Sequence, residues 1–351
     1  MFDDVLIYGA NGYSAGLIVE LARAQGARPT LAGRSADKLA SVTEATGLPV
    51  RAFALDDPAL IRRQLDGVRV VLNCAGPFAR TARALAAACI DVGTHYLDIT
   101  GEIEVFEAMA ALGRKAKSAG VMLMPGTGFD VVPSDCLAAH LKRRLPDATQ
   151  LTLAFQALGR ASRGTATTMI ENLHRGGAIR RNGKLIVVPA AYASRDIDFG
   201  HGPVATMCIP WGDVSTAWVS TGIPDIQVFM AAPRGLRVMS RLSRRFGPLL
   251  ASAPVQRYFK RRIQAGPPGP DPASRRRGLS RLWGEAKNAS GKSCTSRIDT
   301  VEGYTLTALT AWDIAKRVAG GATLPGFCTP SMLFGPDYIL GFPGTTRTDV
   351  S

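Results

Sequence analysis

Val5-Leu6-Ile7-Tyr8-Gly9-Ala10-Asn11-Gly12-Tyr13-Ser14-Ala15-Gly16 is the stretch on which the fold turns. Four apolar residues run straight into a glycine. A helical apolar pattern (Leu17, Ile18, Leu21, Ala22) follows, up to Gly26. The first run reads as a buried strand and the second as a helix. Between them Gly9, Gly12 and Ala15 occupy the three key positions of a G-x-x-G-x-x-G/A turn. Gly9 permits a sharp exit from the strand, Gly12 lets a pyrophosphate approach the backbone, and Ala15 lets helix and sheet pack closely. The N–H groups and dipole of a helix start favour an anion at that point. A glycine pattern alone is weak, but between a strand and a helix it signals a dinucleotide site. Asn11, Tyr13 and Ser14 share this turn and are expected beside the cofactor.

Outward from the turn, strand and helix alternate. Strands are expected at 29–32, 50–55, 68–74, 96–99 and 121–124, and helices after Ser35 and at 59–65, 82–90 and 102–118. Strands separated by single helices imply βαβ units and a parallel sheet. The expected fold is α/β, a Rossmann-type doubly wound parallel sheet, over residues 1–148. Beyond 148 the pattern changes. Strand-like runs at 151–155, 186–188, 207–209, 217–220 and 226–230 are separated by Gly and Pro, with a helix at 165–175. A further strand pair is expected at 283–286 and 296–298, then a helix at 304–318. This predicts a second α+β domain with a mainly antiparallel sheet over 149–302.

The end of the second strand selects the cofactor. An acid there would bond the ribose 2′-hydroxyl of NAD. The chain has Leu31-Ala32-Gly33-Arg34-Ser35 instead. Arg34 offers a planar cation to a 2′-phosphate and Ser35 a hydroxyl, which points to NADP(H). Ser35 also suits the cap of the next helix. Asp56, after the third strand, either flanks the adenine or is a turn residue. Asn73-Cys74-Ala75-Gly76-Pro77 closes the fourth strand. Ligands of open parallel sheets lie past the carboxyl ends of the strands, so Asn73, Ala75, Gly76 and Pro77 are expected near the nicotinamide half.

The 351 residues are 46% hydrophobic and 20% charged, ample for a folded core and against disorder. No run reaches the length of a membrane span. The acidic start, Met1-Phe2-Asp3-Asp4, differs from a secretory signal. Six isolated cysteines and four histidines give no metal-ligand spacing, so no metal is expected, and the thiols suit a reducing cytoplasm.

The net charge of +14 is concentrated: residues 234–287 carry fourteen Lys/Arg against two acids. Over 234–250 Arg234, Arg237, Arg241, Arg244 and Arg245 fall on one helical face, opposite Leu236, Met239, Leu242, Phe246, Leu249 and Leu250. Together with Arg257, Lys260, Arg261 and Arg262, this basic amphipathic segment 234–262 suits either an anionic membrane surface or an acidic carrier protein. The alternative is a helix packed on its own sheet with a solvated arginine face. Sparse aromatic interleaving argues against nucleic acid. The expected location is cytoplasmic, with peripheral contact to the inner membrane face. A homodimer is a further expectation.

Several stretches together resemble the saccharopine dehydrogenase-like oxidoreductases, a group that includes saccharopine reductases and trans-acting enoyl reductases. They are Gly9–Ala15, Ala32–Ser35, Val71–Phe78, Gly93–Glu102, Gly128–Asp135, Glu302–Ala308 and Thr329–Ser331. Members often have Thr-Gly-Tyr-Thr-Gly where this chain has Asn11-Gly12-Tyr13-Ser14-Ala15, a change that conserves size. The resemblance implies an NADP(H)-dependent oxidoreductase that transfers hydride to a C=C (enoyl) or C=N bond of a lipid-like or carrier-bound, acyl-type substrate. It also implies that the helix and tail over 303–351 pack back on the first domain. The contrasting expectation is a catalytically weak NADP-binding protein associated with a membrane or lipid.

Hydride transfer needs a proton to follow, and the protein mainly orients the reactants. Asp130, after Gly128-Phe129, and Tyr96 are the candidate proton-transfer groups, with Asp98 and Ser134 nearby in sequence. Phe129 is expected to face the substrate. Ser134 or Asp135 is equally suited to capping a helix at 136–144, and Glu102 to capping its own helix. In Ser162-Arg163-Gly164-Thr165, Arg163 and Thr165 could receive a substrate anion at a helix start, or Thr165 could simply cap it. His95 and His174 are more consistent with structural roles.

Overall fold

The computed structural model describes residues 4–158, 162–172, 176–232, 235 and 252–351. The expected basic helix at 234–250, Gly235 apart, and His174 lie outside the described residues. Two compact units emerge: Met1–Val132 with Tyr304–Gly335, and Pro133–Gly303 with Pro336–Ser351. The first division therefore falls at Val132/Pro133, where the sequence pattern changes only at 148. Of the C-terminal stretch, 304–335 belongs with the first unit and 336–351 with the second.

The first unit contains β1 (Val5–Tyr8), α1 (Tyr13–Ala24), β2 (Thr30–Gly33), α2 (Ala36–Thr46), β3 (Val50–Ala52), α3 (Pro58–Gln64), β4 (Val70–Asn73), α4 (Phe78–Val92), β5 (His95–Asp98), α5 (Ile103–Ser118) and β6 (Met122–Met124). A last, two-residue strand at Gly326–Phe327 completes a seven-stranded sheet. Its order is Gly326–Phe327, then β6-β5-β4-β1-β2-β3, and every pairing is parallel. Strand order reverses at β1, which has β2 on one side and β4 on the other. That switch point opens the crevice in which doubly wound sheets bind ligands. Continuous burial along β1, β2 and β4 explains their predominantly apolar sequences. Leu6, Val71, Leu85, Tyr96, Phe53 and Met109 belong to one apolar core cluster.

The second unit contains most of α6 (Val132–Arg144), then β7 (Ala148–Leu158), α7 (Arg163–Asn172), β8 (Gly177–Arg181), β9 (Lys184–Val188), β10 (Ser194–Asp198), β11 (Pro203–Cys208), α8 (Asp213–Thr221) and β12 (Asp225–Ala231). After these come α9 (Ala253–Ala265), α10 (Pro272–Arg277), β13 (Leu279–Asn288) and β14 (Ser293–Val301). The chain ends with α11 (Gly303–Ala319), β15 (the Gly326–Phe327 strand), α12 (Pro330–Phe334) and β16 (Thr346–Asp349). The second sheet follows β10-β11-β12-β7-β13-β14-β16, with β8 joined to β12 and β9. It is mixed: β7 and β12 run parallel and the other pairings are antiparallel.

Two sequence expectations are corrected. Residues 217–220 lie in α8, not in a strand. The strand preference of Trp218 and Val219 is outweighed by burial of Val214, Thr216 and Ala217 in the helix, and Gly222 closes it at φ 68°. Ser134 and Asp135 lie within the first turn of α6 and do not precede it.

Candidate active site

The expected cofactor residues gather at the carboxyl ends of β1, β2 and β4. Gly9 turns the chain at φ +83°, and both Gly9 N–H and Ala10 N–H donate to the Ala32 carbonyl at 2.7 and 3.1 Å. The turn is pressed against the β4 loop: a Cβ on Gly9 would lie 2.8 Å from Ala75 Cα. Only glycine meets both demands. Gly12 is the residue before α1, and no side chain caps that helix or adds an acid to its first turn. Its neighbours differ. Ser35 caps α2 by accepting from Lys38 N–H at 3.4 Å, and Asp57 caps α3 through Ala59 and Leu60. An amino end without a side-chain cap, flanked by two glycines, is what a pyrophosphate requires. Tyr13 and Ser14 open α1, with Tyr13 stacked edge-on against Tyr304 at 5.2 Å.

Arg34 is exposed at the end of β2, and Asn11 Oδ1 comes within 3.8 Å of where a Gly33 Cβ would lie. Burial pushes the Tyr8 hydroxyl up to about 12, Arg34 opposes that shift and Asp56 adds to it. Arg34 and Asp56 therefore both sit near Tyr8. Among the described residues no hydrogen bond or ion pair engages the Arg34 guanidinium. The residues present fit a phosphorylated dinucleotide: an uncapped helix start for the diphosphate and an available cation for a ribose phosphate.

Past β4, the Gly76–Pro77 peptide is cis. Asn73 is wholly buried, so it acts on this loop and not on a ligand directly. Its Oδ1 accepts from Ala75 N–H at 3.0 Å, and its Nδ2 donates to Thr81 Oγ1 and to the Tyr96 hydroxyl, both at 3.1 Å. Thr81 in turn donates to the Ala75 carbonyl at 2.7 Å. Glu102 is a capping residue whose partner is hidden in the sequence. Its carboxylate accepts from Phe78 and Ala79 N–H at 2.9 and 2.8 Å, so it caps α4 from the start of α5. The acid follows Gly101 only 24 positions after Phe78, and no local spacing reveals that pairing.

Tyr96 is 0% exposed and donates to Asp98 Oδ2 at 2.8 Å, which argues against its serving as a proton donor to substrate. Burial and the Asp98 charge push its hydroxyl well up. Asp130 is different. It keeps partial exposure, and the protein packed around its carboxyl pushes it up to about 7. Its Oδ2 lies 2.9 Å from where a Gly101 Cβ would be, so Gly101 makes room for it. Phe129 N–H donates to Thr307 Oγ1 at 3.0 Å, and Gly128 packs on the same threonine, tying this loop to α11.

The remaining candidates have structural partners within their own units. In the second unit both Nε and Nη2 of Arg163 donate to the Gly266 carbonyl, and Thr165 N–H is capped by Ser162 Oγ at 3.2 Å. That arrangement is one of loop and helix-start support. His95 lies at the opposite end of β5, where its Nδ1 accepts from Met122 N–H at 3.1 Å. All six cysteines are free thiols, five of them buried, and burial pushes the Cys74, Cys89 and Cys136 thiols up. Among the described residues no group of three or more metal-binding side chains occurs, and no helix is long and apolar enough to cross a membrane.

Residues 5–124 match the family model described as the saccharopine dehydrogenase NADP binding domain. The trans-acting enoyl reductase of Mycobacterium ulcerans is 32% identical over 183 residues, 48% of this chain and 44% of the relative. That of Mycobacterium leprae is 35% identical over 150 residues, 40% of this chain and 36% of the relative. The match thus spans less than half the length of these curated relatives. Apo saccharopine dehydrogenase (L-Glu forming) from Saccharomyces cerevisiae has the same fold over 99% of both chains, with a TM-score of 0.66 at 14% identity. Residues 5–124 therefore form a saccharopine dehydrogenase-type NADP-binding domain, and part of the chain is homologous to trans-acting enoyl reductases.

Proposed function

From this NADP-binding domain, we propose that the chain is an NADPH-dependent reductase acting on a C=C (enoyl) or C=N bond of a lipid-like or carrier-bound acyl substrate. The observation that carries the reading is the conjunction at the strand-order switch. The α1 start lacks a side-chain cap beside Gly9 and Gly12, and the unengaged Arg34 guanidinium lies one strand away. NADPH, when bound, supplies the hydride. The rest of the chemistry falls to the chain. The α1 amides hold the diphosphate, and Arg34 with Asn11 receives the adenosine phosphate. The Ala75–Pro77 loop borders the nicotinamide end.

Asp130 is our candidate for proton delivery. A carboxyl with its proton affinity raised to about 7 is shared between acid and base near neutrality. Phe129 beside it would contribute an apolar wall. The homology to enoyl reductases favours the α-carbon of an enoyl thioester as the proton acceptor over an imine nitrogen. The test is NADPH oxidation followed at 340 nm with panels of trans-2-enoyl thioesters and of imines. Tight NADPH binding with no turnover on either panel would overturn the reductase reading.

A second reading concerns partners. None of the residues of α9 is buried, and Tyr258 (59% exposed) and Phe259 (37% exposed) lie among Arg257, Lys260, Arg261 and Arg262. This composition supports contact with an anionic membrane surface or acidic carrier protein. Flotation with anionic vesicles at low salt tests it, and failure to float would end the membrane version.

A further inference from the structure

Asp98, at the end of β5, is wholly buried, yet its carboxylate is surrounded by donors. Oδ1 accepts from Thr100 N–H at 3.0 Å and from Gly126 N–H at 2.9 Å. Oδ2 accepts from the Tyr96 hydroxyl at 2.8 Å. The Asp98 carbonyl takes Thr127 N–H at 2.7 Å and Thr127 Oγ1–H at 2.8 Å. One residue thus holds the loops that follow β5 and β6.

The Tyr96 bond carries the influence further. Because the Tyr96 proton is given to Asp98, its oxygen is left to accept from Asn73 Nδ2. The Thr81 proton goes to the Ala75 carbonyl, so its oxygen also accepts from Asn73 Nδ2. The Asn73 amide therefore has one orientation available, with Oδ1 toward Ala75 N–H. Ala75 lies directly against Gly9 of the diphosphate turn. The chain of donors runs Ala75, Asn73, Tyr96, Asp98, and only its last member is a pure acceptor. A buried donor that meets another donor loses its bond and its solvation together.

We propose that Asp98 is a positioning residue for the dinucleotide: as the terminal acceptor it sets the donor direction through Tyr96 and Asn73, and so holds Ala75 against the diphosphate turn. This deepens, and rests on, the nucleotide reading above. An amide at position 98 cannot substitute. With its oxygen toward Thr100 and Gly126, its NH2 faces Tyr96, and with the amide turned, its NH2 faces two backbone N–H groups.

The test uses full-length apo-protein at pH 8 and four chains: wild type, Asp98→Asn, Tyr96→Phe and Thr94→Val. Thr94 donates to the Val68 carbonyl at 2.8 Å, at the opposite end of β5, and reports the loss of an ordinary buried hydroxyl bond. Two quantities are read: amide hydrogen exchange over 73–78 in the apo state, and the NADPH dissociation constant by fluorescence titration. Asp98→Asn and Tyr96→Phe should each speed exchange and weaken NADPH by about 10-fold, the loss expected of one unsatisfied buried donor. Thr94→Val should change neither by more than about twofold, although its melting temperature falls. If Asp98→Asn does not fold, Tyr96→Phe decides alone. Wild-type exchange and affinity in Tyr96→Phe, or equal losses in Thr94→Val, would overturn the proposal. If the wild type holds no NADPH, the nucleotide reading falls, and the apo exchange comparison still decides whether the relay holds Ala75.

Discussion

Gly9 and Ala75 touch backbone to backbone: any Cβ on Gly9 would lie 2.8 Å from Ala75 Cα, N and Cβ alike. The two residues are far apart in sequence, one on the turn after β1 and one on the loop after β4. Their contact joins the expected diphosphate end of the crevice to its nicotinamide end. Gly9→Ala should therefore fail twice, once in its φ of +83° and once against Ala75. The backbone strain alone is worth about 1–3 kcal/mol. Thermal unfolding should show a large drop in midpoint together with loss of NADPH binding. A near-native midpoint would contradict the close packing.

Arg34→Ala should cost NADPH about 10- to 100-fold in affinity, the worth of a charge-assisted hydrogen bond to the 2′-phosphate. NADH, which has no such phosphate, should bind as before. Parallel calorimetric titrations distinguish the two cofactors, and equal losses for both would withdraw the assignment.

Removing the Glu102 side chain should act at a distance. Glu102→Ala leaves Phe78 and Ala79 N–H at the start of α4 without their acceptor, a cost of about 1–2 kcal/mol. Glu102→Gln keeps one accepting oxygen and should recover part of this. Urea unfolding of the three chains reads the order wild type, Gln, Ala, and a neutral Ala variant would sink it.

Burial lifts Asp98 from 3.8 to about 6, against the lowering effect of its hydrogen bonds to Thr100, Gly126 and Tyr96. The folded protein then holds this proton more tightly than the unfolded chain does. Its contribution to stability is complete below the unfolded value and is lost as pH rises through about 6. Asp130, lifted by burial to about 7, acts in the same direction. The Asp98 share is roughly 3 kcal/mol between pH 4 and 7. Urea midpoints across that range should fall with pH in the wild type and fall less steeply in Asp98→Asn. Equal slopes would remove the assignment.

If Asp130 delivers the proton, turnover on an enoyl thioester should decline as pH rises through about 7, where the acid form is lost. Asp130→Asn should lower turnover by about 100-fold. Its affinity for NADPH should stay within about twofold, since the carboxyl is assigned to substrate chemistry and not to nucleotide binding. A pH profile unchanged by the substitution would point to another donor.

Much of the first sheet was legible from local pattern. Unbroken apolar runs such as Val70–Leu72 mark strands buried on both faces, and glycines such as Gly93 mark where helices stop. The second unit was less readable. The stretch Ala217-Trp218-Val219-Ser220 reads as a short strand, and only its packing beside β12 makes it helical. The adenosine side of the candidate site was readable because Arg34 and the glycine turn lie next to the strand ends that place them. The reacting side was not. Tyr96 and Asp130 are alike in sequence as candidate donors, and only the structure shows Tyr96 fully buried and bonded to Asp98 while Asp130 keeps partial exposure.

The sequence by itself determined a strand, a glycine turn and a helix, with a cation in place of an acid after the next strand, because backbone φ and helix-end amides are properties of neighbouring residues. Tertiary structure alone decided that Glu102 caps a helix other than its own. It also decided that Tyr96 faces Asp98 away from solvent, and that Ala75 lies against Gly9. Those relations join segments through buried hydrogen bonds and van der Waals contact, whose strength depends on distances in space that no residue spacing along the chain encodes.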